Sequence, residues 1–213
     1  SGRSGSAGER AKNTIKNVLV LRFSWTEAAH LAVGMALVAA VGMSIFGFNF
    51  QPEYIAIFVS AFLLHELAHK FLAQFYKAWA EFRVQLYGAA ITAISALPFL
   101  PFKFIAPGAV FIGGPVSERR NGRISLIGPL TNIALGAGFL LAYAAVDSSP
   151  IMLMGAWFNG WIAFFNLIPF MGLDGSKVFA WNKPVWLAAL AASVGLYAAG
   201  GIISGRGIFG FFG

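Results

Sequence analysis

The chain contains no cysteine, which excludes disulfides and thiolate metal sites. Charge is scarce too. Only 11% of its 213 residues are charged, against about 25% in an ordinary soluble domain. With 58% hydrophobic residues, it cannot cover a globular surface with polar groups, so its expected solvent is the lipid bilayer. Acidic residues are fewest: 8 Asp and Glu against 15 Lys and Arg, a net charge of +7. A basic excess can signal nucleic acid, but here the basic residues form no stripe interleaved with aromatics. They lie in the N-terminal arm and in the gaps between apolar runs, as membrane topology requires. No nucleic-acid partner is expected. No internal repeat and no second domain is evident.

Residues 1–17 are polar and basic and read as a flexible tail, leaving 18–213 as a single transmembrane domain. The first long apolar run begins well inside the chain, so no cleavable signal is expected. Val18 to Phe23 has the pattern of a short strand or interfacial segment. A bilayer core needs about 20 apolar helical residues. Ala28–Phe46, Tyr54–Phe75, Ile124–Val146, Ile151–Met171 and Val185–Ser204 meet that length. Leu86–Ile105 is long enough too, but Pro98 and Pro101 interrupt it and Lys103 lies near its end.

Lys and Arg orient these spans. The loops Asn49–Glu53 and Asp147–Pro150 contain none, whereas the N-terminal arm, Lys70 to Arg83, Arg119 to Arg123 and Lys177 to Lys183 are basic. The positive-inside rule places the basic group, with the N-terminus, in the cytosol. The spans then alternate only if Leu86–Ile105 does not cross. It is expected to be a re-entrant or surface-lying hairpin turning near Pro98–Pro101, with short strands Phe82–Leu86 and Ala109–Ile112 at its base. The fold class is thus an all-α polytopic membrane protein of five to six transmembrane helices, with a re-entrant hairpin or small β region after the second.

One apolar span carries His65-Glu66-Leu67-Ala68-His69. On a helix the two His share a face and can bind one Zn²⁺. Glu66, one step round, can reach a water held by the metal and take its proton. Ionisable groups at bilayer depth cost about 3 kcal/mol for a central charge, which argues against chance. A catalytic zinc usually takes three protein ligands. His30 lies near the start of the first span and reads as an interfacial or satisfied histidine. The other candidate is Asp174, following the helix-breaking Pro169 and Gly172 and preceding Gly175. A carboxylate on such a break can turn to a neighbour's metal, or simply cap the next turn. Asp174 and His69 both fall near the cytosolic ends of their spans, so they share a depth.

Three separated pieces, His65–His69, Gly128-Pro129-Leu130-Thr131-Asn132 and Asn166–Gly175 ending in Leu-Asp-Gly, occur in an order that resembles the site-2 proteases. These are intramembrane zinc metalloproteases that cut transmembrane segments. The pieces frame about half of the chain. The first is shared with many soluble zinc peptidases; the combination within apolar spans is specific. The resemblance implies one zinc held by His65, His69 and Asp174, with Glu66 as general base. It implies that Asn132 helps hold substrate or the oxyanion, where a side-chain amide can contribute about 3–4 kcal/mol. The alternative for Asn132 is an interhelical hydrogen bond. Asn159 reads as interhelical packing, and Asn166 as support for the Asp174 turn. The chain shows no PDZ-like insert and no CBS pair, and carries Ala68 where many relatives have Gly.

The implied partners are a transmembrane protein substrate and the lipid bilayer. Competing expectations are a metal-binding membrane transporter and a non-catalytic relative that binds membrane segments. Glu66 weighs against the first, because an ion site needs ligands rather than an adjacent base, and its presence also weakens the second. A substrate helix must unwind before attack, and its freed backbone needs new partners. A strand edge at Phe82–Leu86 or Ala109–Ile112, with Val84 as the test position, is expected to supply them.

Overall fold

The computed structural model describes residues 22–48, 52–100, 103–146, 148–170 and 172–205. The expected tail, and residues 18–21 of the expected strand, lie outside them. Among the described residues are seven helices and one two-stranded sheet. They run α1 (Trp25–Ile45), α2 (Pro52–Phe75), β1 (Trp79–Val84), α3 (Leu86–Ser95), β2 (Gly108–Gly113), α4 (Glu118–Ala145), α5 (Pro150–Asn166), α6 (Asp174–Trp181) and α7 (Lys183–Ile203).

Local chemistry marks the helix starts. Ser24 and Ser117 accept from the Glu27 and Arg120 amides, and Asn182 accepts from Val185. Each satisfies a donor the helix cannot pair internally. Pro150 opens α5, where its missing N–H costs nothing.

Four helices, α1, α2, α4 and α7, are long and apolar enough to cross a membrane, so this is a multi-pass membrane protein. Sequence pattern led to five or six, and the difference has two causes. The run Ile151–Met171 contributes only the 17-residue α5. At 1.5 Å per residue that is about 25 Å, short of a core of about 30 Å. Its apolar character serves the protein interior instead, for every residue from Leu153 to Ala163 is buried. α7 packs so closely on it that a Cβ on Gly160 would lie 2.5 Å from the Tyr197 backbone nitrogen. The second run, Leu86–Ile105, holds only the 10-residue α3, about 15 Å long, followed by a return to the sheet. A small β region after the second helix is therefore present. The first strand begins earlier than expected, at Trp79, and Leu86 already belongs to α3.

β1 and β2 are antiparallel, pairing Trp79 with Gly113 through Val84 with Gly108. Side chains from α1 and α2 cover the outer edge of β1. The Phe82 N–H donates to Glu27 Oε1 at 2.9 Å, the Val84 N–H to His30 Nδ1 at 3.0 Å, and Lys70 Nζ to the Ala80 carbonyl at 2.8 Å. Lys70 also pairs with both Glu27 oxygens at 2.7 and 2.8 Å, with each side chain almost wholly buried. Removing one member of such a pair leaves the other charge buried, typically at about 3–5 kcal/mol. Lys70 is thus not a loop charge of the basic group, although the sequence places it beside one.

Three of the other described basic residues tie the helix ends together. The Arg22 amide donates to Gln74, Arg120 stacks on the Tyr76 ring and Arg123 on the Trp181 ring. The start of α1, the end of α2, the start of α4 and the end of α6 therefore meet at one end of the molecule.

Candidate metal centre

His65, Glu66 and His69 lie in the second half of α2, and all three are buried. Four residues apart on a helix of about 3.6 residues per turn, the two histidines stack their imidazoles on one face toward α4 and α6. The Nε2 atoms are 3.0 Å apart. Asp174, the first residue of α6, brings Oδ2 to 3.3 Å from His65 Nε2 and 3.0 Å from His69 Nε2. Its other oxygen faces Lys177 Nζ at 3.9 Å. The loop from Leu167 to Leu173, loosened by Pro169 and by Gly172 at φ +92°, carries the chain back from α5. Burial alone would raise the Asp174 carboxyl, but the His69 and His65 imidazoles outweigh it and hold the group well below the usual carboxylate range.

The far side of each imidazole determines what the near side offers. His65 Nδ1 faces Asn132 Oδ1 at 2.6 Å, and His69 Nδ1 faces the Ile124 carbonyl at 2.6 Å. Both partners are acceptors, so both rings carry their proton on Nδ1 and present a bare lone pair at Nε2. Two lone pairs and a carboxylate oxygen converging at about 3 Å repel one another unless a cation lies between them. Zinc bonds of about 2.0–2.2 Å at tetrahedral angles set ligand atoms about 3.3–3.6 Å apart, close to the spacing seen. A further feature points the same way. A Cβ on Gly128 would lie 2.3 Å from His69 Nε2 and 2.7 Å from His65 Nε2, so the glycine keeps open the space both lone pairs face. The adjacent Pro129 removes the helical donor to the Ser125 carbonyl and loosens this turn of α4, where Ile124 reaches His69. The donor set therefore fits zinc.

Glu66 does not join the three donors. Its Oε2 is buried without a hydrogen-bond partner among the described residues. A cavity of about 210 Å³ opens here, lined by His65, Glu66, His69 and Asp174 together with Gly108, Val110 and Ile112 of β2.

Two expected site residues are placed differently. Asn132 is wholly buried; its Nδ2 donates to the Ala61 carbonyl at 3.1 Å and to Asn159 Oδ1 at 3.0 Å. With Oδ1 on His65, no amide donor remains for an oxyanion or a substrate. Val84 has its N–H committed to His30, so its edge is closed to a substrate strand. The Asn166 amide bonds the Ile162 carbonyl within α5, not the Asp174 turn. Sequence reasoning names Gly128 only as part of its motif and reads Asn159 as interhelical packing, without the place either takes beside the metal centre.

Two imidazoles and a carboxylate that converge on apolar helices, with Glu66 beside them, form the kind of donor set that zinc metalloproteases use. Comparison with known proteins gives the family. The chain is 34% identical over 179 residues to a Methanocaldococcus jannaschii protein named "Putative zinc metalloprotease MJ0611", a match spanning 78% of this chain and 90% of that one. It is 26% identical over 155 residues to "Zinc metalloprotease MJ0392" of the same organism, spanning 70% of this chain and 40% of that relative's length. The chain belongs to the site-2-protease-like zinc metalloproteases. No family model and no solved structure matches it.

Proposed function

We propose that the protein is an intramembrane endopeptidase that cuts peptide bonds within or next to transmembrane segments of other membrane proteins. The observation that supports this reading is that the site is built on a helix apolar and long enough to be a membrane span. Three convergent donors and an unpartnered Glu66 lie on or against α2, itself apolar and long enough to span. His65, His69 and Asp174 would hold one zinc per chain. Zinc supplies Lewis acidity, making a water nucleophilic at neutral pH and polarising the scissile carbonyl. Glu66 takes the proton of the attacking water at Oε2 and returns it to the amine as the C–N bond breaks. Asn132 acts through His65, orienting the imidazole.

Substrate must arrive extended, because a helix hides its carbonyls in its own hydrogen bonds. With Ala80, Phe82 and Val84 turned outward to α1 and α2, their partners Ile112, Val110 and Gly108 turn the other way, as antiparallel pairing requires. Those three line the cavity. The β2 outer edge, rather than β1, is therefore the edge on which an unwound segment would add as a strand. Purified protein in liposomes should cleave a membrane peptide carrying Gly, Pro or Asn in its span faster than a Leu-only peptide, since those residues weaken the helix beforehand. Equal rates on the two would remove the unwinding step from this reading. No cleavage of either by zinc-loaded protein would remove the reading itself.

The clustered basic end is proposed to face the cytosol. Arg120→Cys should label with an impermeant thiol reagent only from the cytosolic side, and Glu53→Cys only from the other. Both labelling from one side would refute that arrangement.

A further inference from the structure

We infer that Asn159 is a positioning residue for the metal centre. Through Asn132 it holds His65 in the one tautomer that turns the Nε2 lone pair toward His69 and Asp174. This rests on the zinc reading above, and concerns a residue outside the cavity on a different helix.

The direction of the chain is settled by two backbone carbonyls, which can only accept. The Ala61 carbonyl is 3.1 Å from one amide atom of Asn132, which must be Nδ2. The Gly155 carbonyl is 2.9 Å from one amide atom of Asn159, likewise Nδ2. Asn159 then presents Oδ1 to Asn132 Nδ2 at 3.0 Å, and Asn132 presents Oδ1 to His65 Nδ1 at 2.6 Å. An oxygen there requires the proton on Nδ1. The relay runs from α5 through α4 to α2, and its three side chains are 1%, 0% and 3% exposed, so bulk water reaches none of them.

Flipping the Asn132 amide would set its oxygen against the Ala61 carbonyl and Asn159 Oδ1. It would also set its NH₂ against His65 Nδ1, forcing the imidazole proton onto Nε2, in the way of the metal. Asn159 is one of the two groups that penalise that flip. Without it, one Asn132 proton is buried with no acceptor, and the flipped arrangement becomes populated. A residue that merely packed between helices would change stability and leave the tautomer alone.

Three histidines in the chain make ¹⁵N-histidine NMR of the zinc-free protein readable. Wild type should show His65 protonated on Nδ1. Asn159→Leu should show a population protonated on Nε2, and its zinc affinity by chelator competition should fall about tenfold, the lower range for an outer-shell partner. Asn159→Asp, which keeps an acceptor toward Asn132, should restore most of both. Asn159→Ala reports the same should Leu prove too bulky to fold. An Asn159→Leu or Asn159→Ala protein with His65 wholly Nδ1-protonated and wild-type zinc affinity overturns the inference. A wild type that takes up no zinc sinks the zinc reading instead, while the tautomer measurement still decides the relay.

Discussion

Glu66→Gln is expected to leave the protein zinc-loaded and proteolytically silent. The three converging donor atoms belong to His65, His69 and Asp174, and none is touched by the change. Gln has the shape of Glu, so the buried side chain should keep its place. What disappears is the basic oxygen. Oε2 is buried and hydrogen-bonds to nothing among the described residues, so it is free to take a proton. Loss of a positioned general base typically costs about 10²–10⁴ in rate, with no matching loss of metal. His65→Ala removes a ligand and should lose metal and cleavage together. Elemental analysis of zinc beside a cleavage assay separates the two variants. Zinc lost from Glu66→Gln would make Glu66 a ligand and reassign the base.

The residues of this centre were legible in the sequence because each carries an expensive group in an apolar setting. His65, Glu66 and His69 stand out in an otherwise apolar span, and Asp174 follows a helix break. The spans were legible where hydropathy and lipid exposure coincide, as in α1, α2, α4 and α7. They were misjudged where they diverge. α5 is as apolar as a span, yet its apolar surface meets other helices, and hydropathy cannot distinguish protein from lipid as a solvent. The Glu27–Lys70 pair was hidden for a related reason. Glu27 sits just before one apolar run and Lys70 in the last turns of another, where a charge ordinarily faces water, and their burial depends on β1, whose Phe82 N–H and Ala80 carbonyl they bind. Asn132 was visible as a polar residue in a span. Which of its hydrogen bonds were already committed depends on Ala61 and Asn159, 71 and 27 residues away. The edge of β1 was misread because strand pattern says nothing about which side a neighbouring helix covers.

Gly128→Ala is expected to abolish zinc binding while leaving the helix that carries it intact, or slightly firmer. Alanine is the better helix former by about 0.8–1 kcal/mol, so α4 gains locally. The added methyl has nowhere to go. Its carbon would lie 2.3 Å from His69 Nε2, 2.5 Å from His69 Cε1 and 2.7 Å from His65 Nε2, well inside van der Waals contact with both lone pairs. The rings cannot swing away freely, because His65 is held to Asn132 and His69 to the Ile124 carbonyl, each at 2.6 Å. If they yield, those hydrogen bonds break and the Nε2 atoms diverge; if they hold, the methyl fills the space a metal needs. Both outcomes remove the site. The expected result is a protein with wild-type helix content by circular dichroism, zinc affinity reduced by a hundredfold or more, about the upper range of outer-shell losses, and no proteolysis. Leu130→Ala is the matched control on the same helix, since that side chain is exposed and faces no ligand. Should Gly128→Ala bind zinc as tightly as wild type, the metal cannot lie between the two imidazoles, and Asp174 would lose its place as a ligand with it.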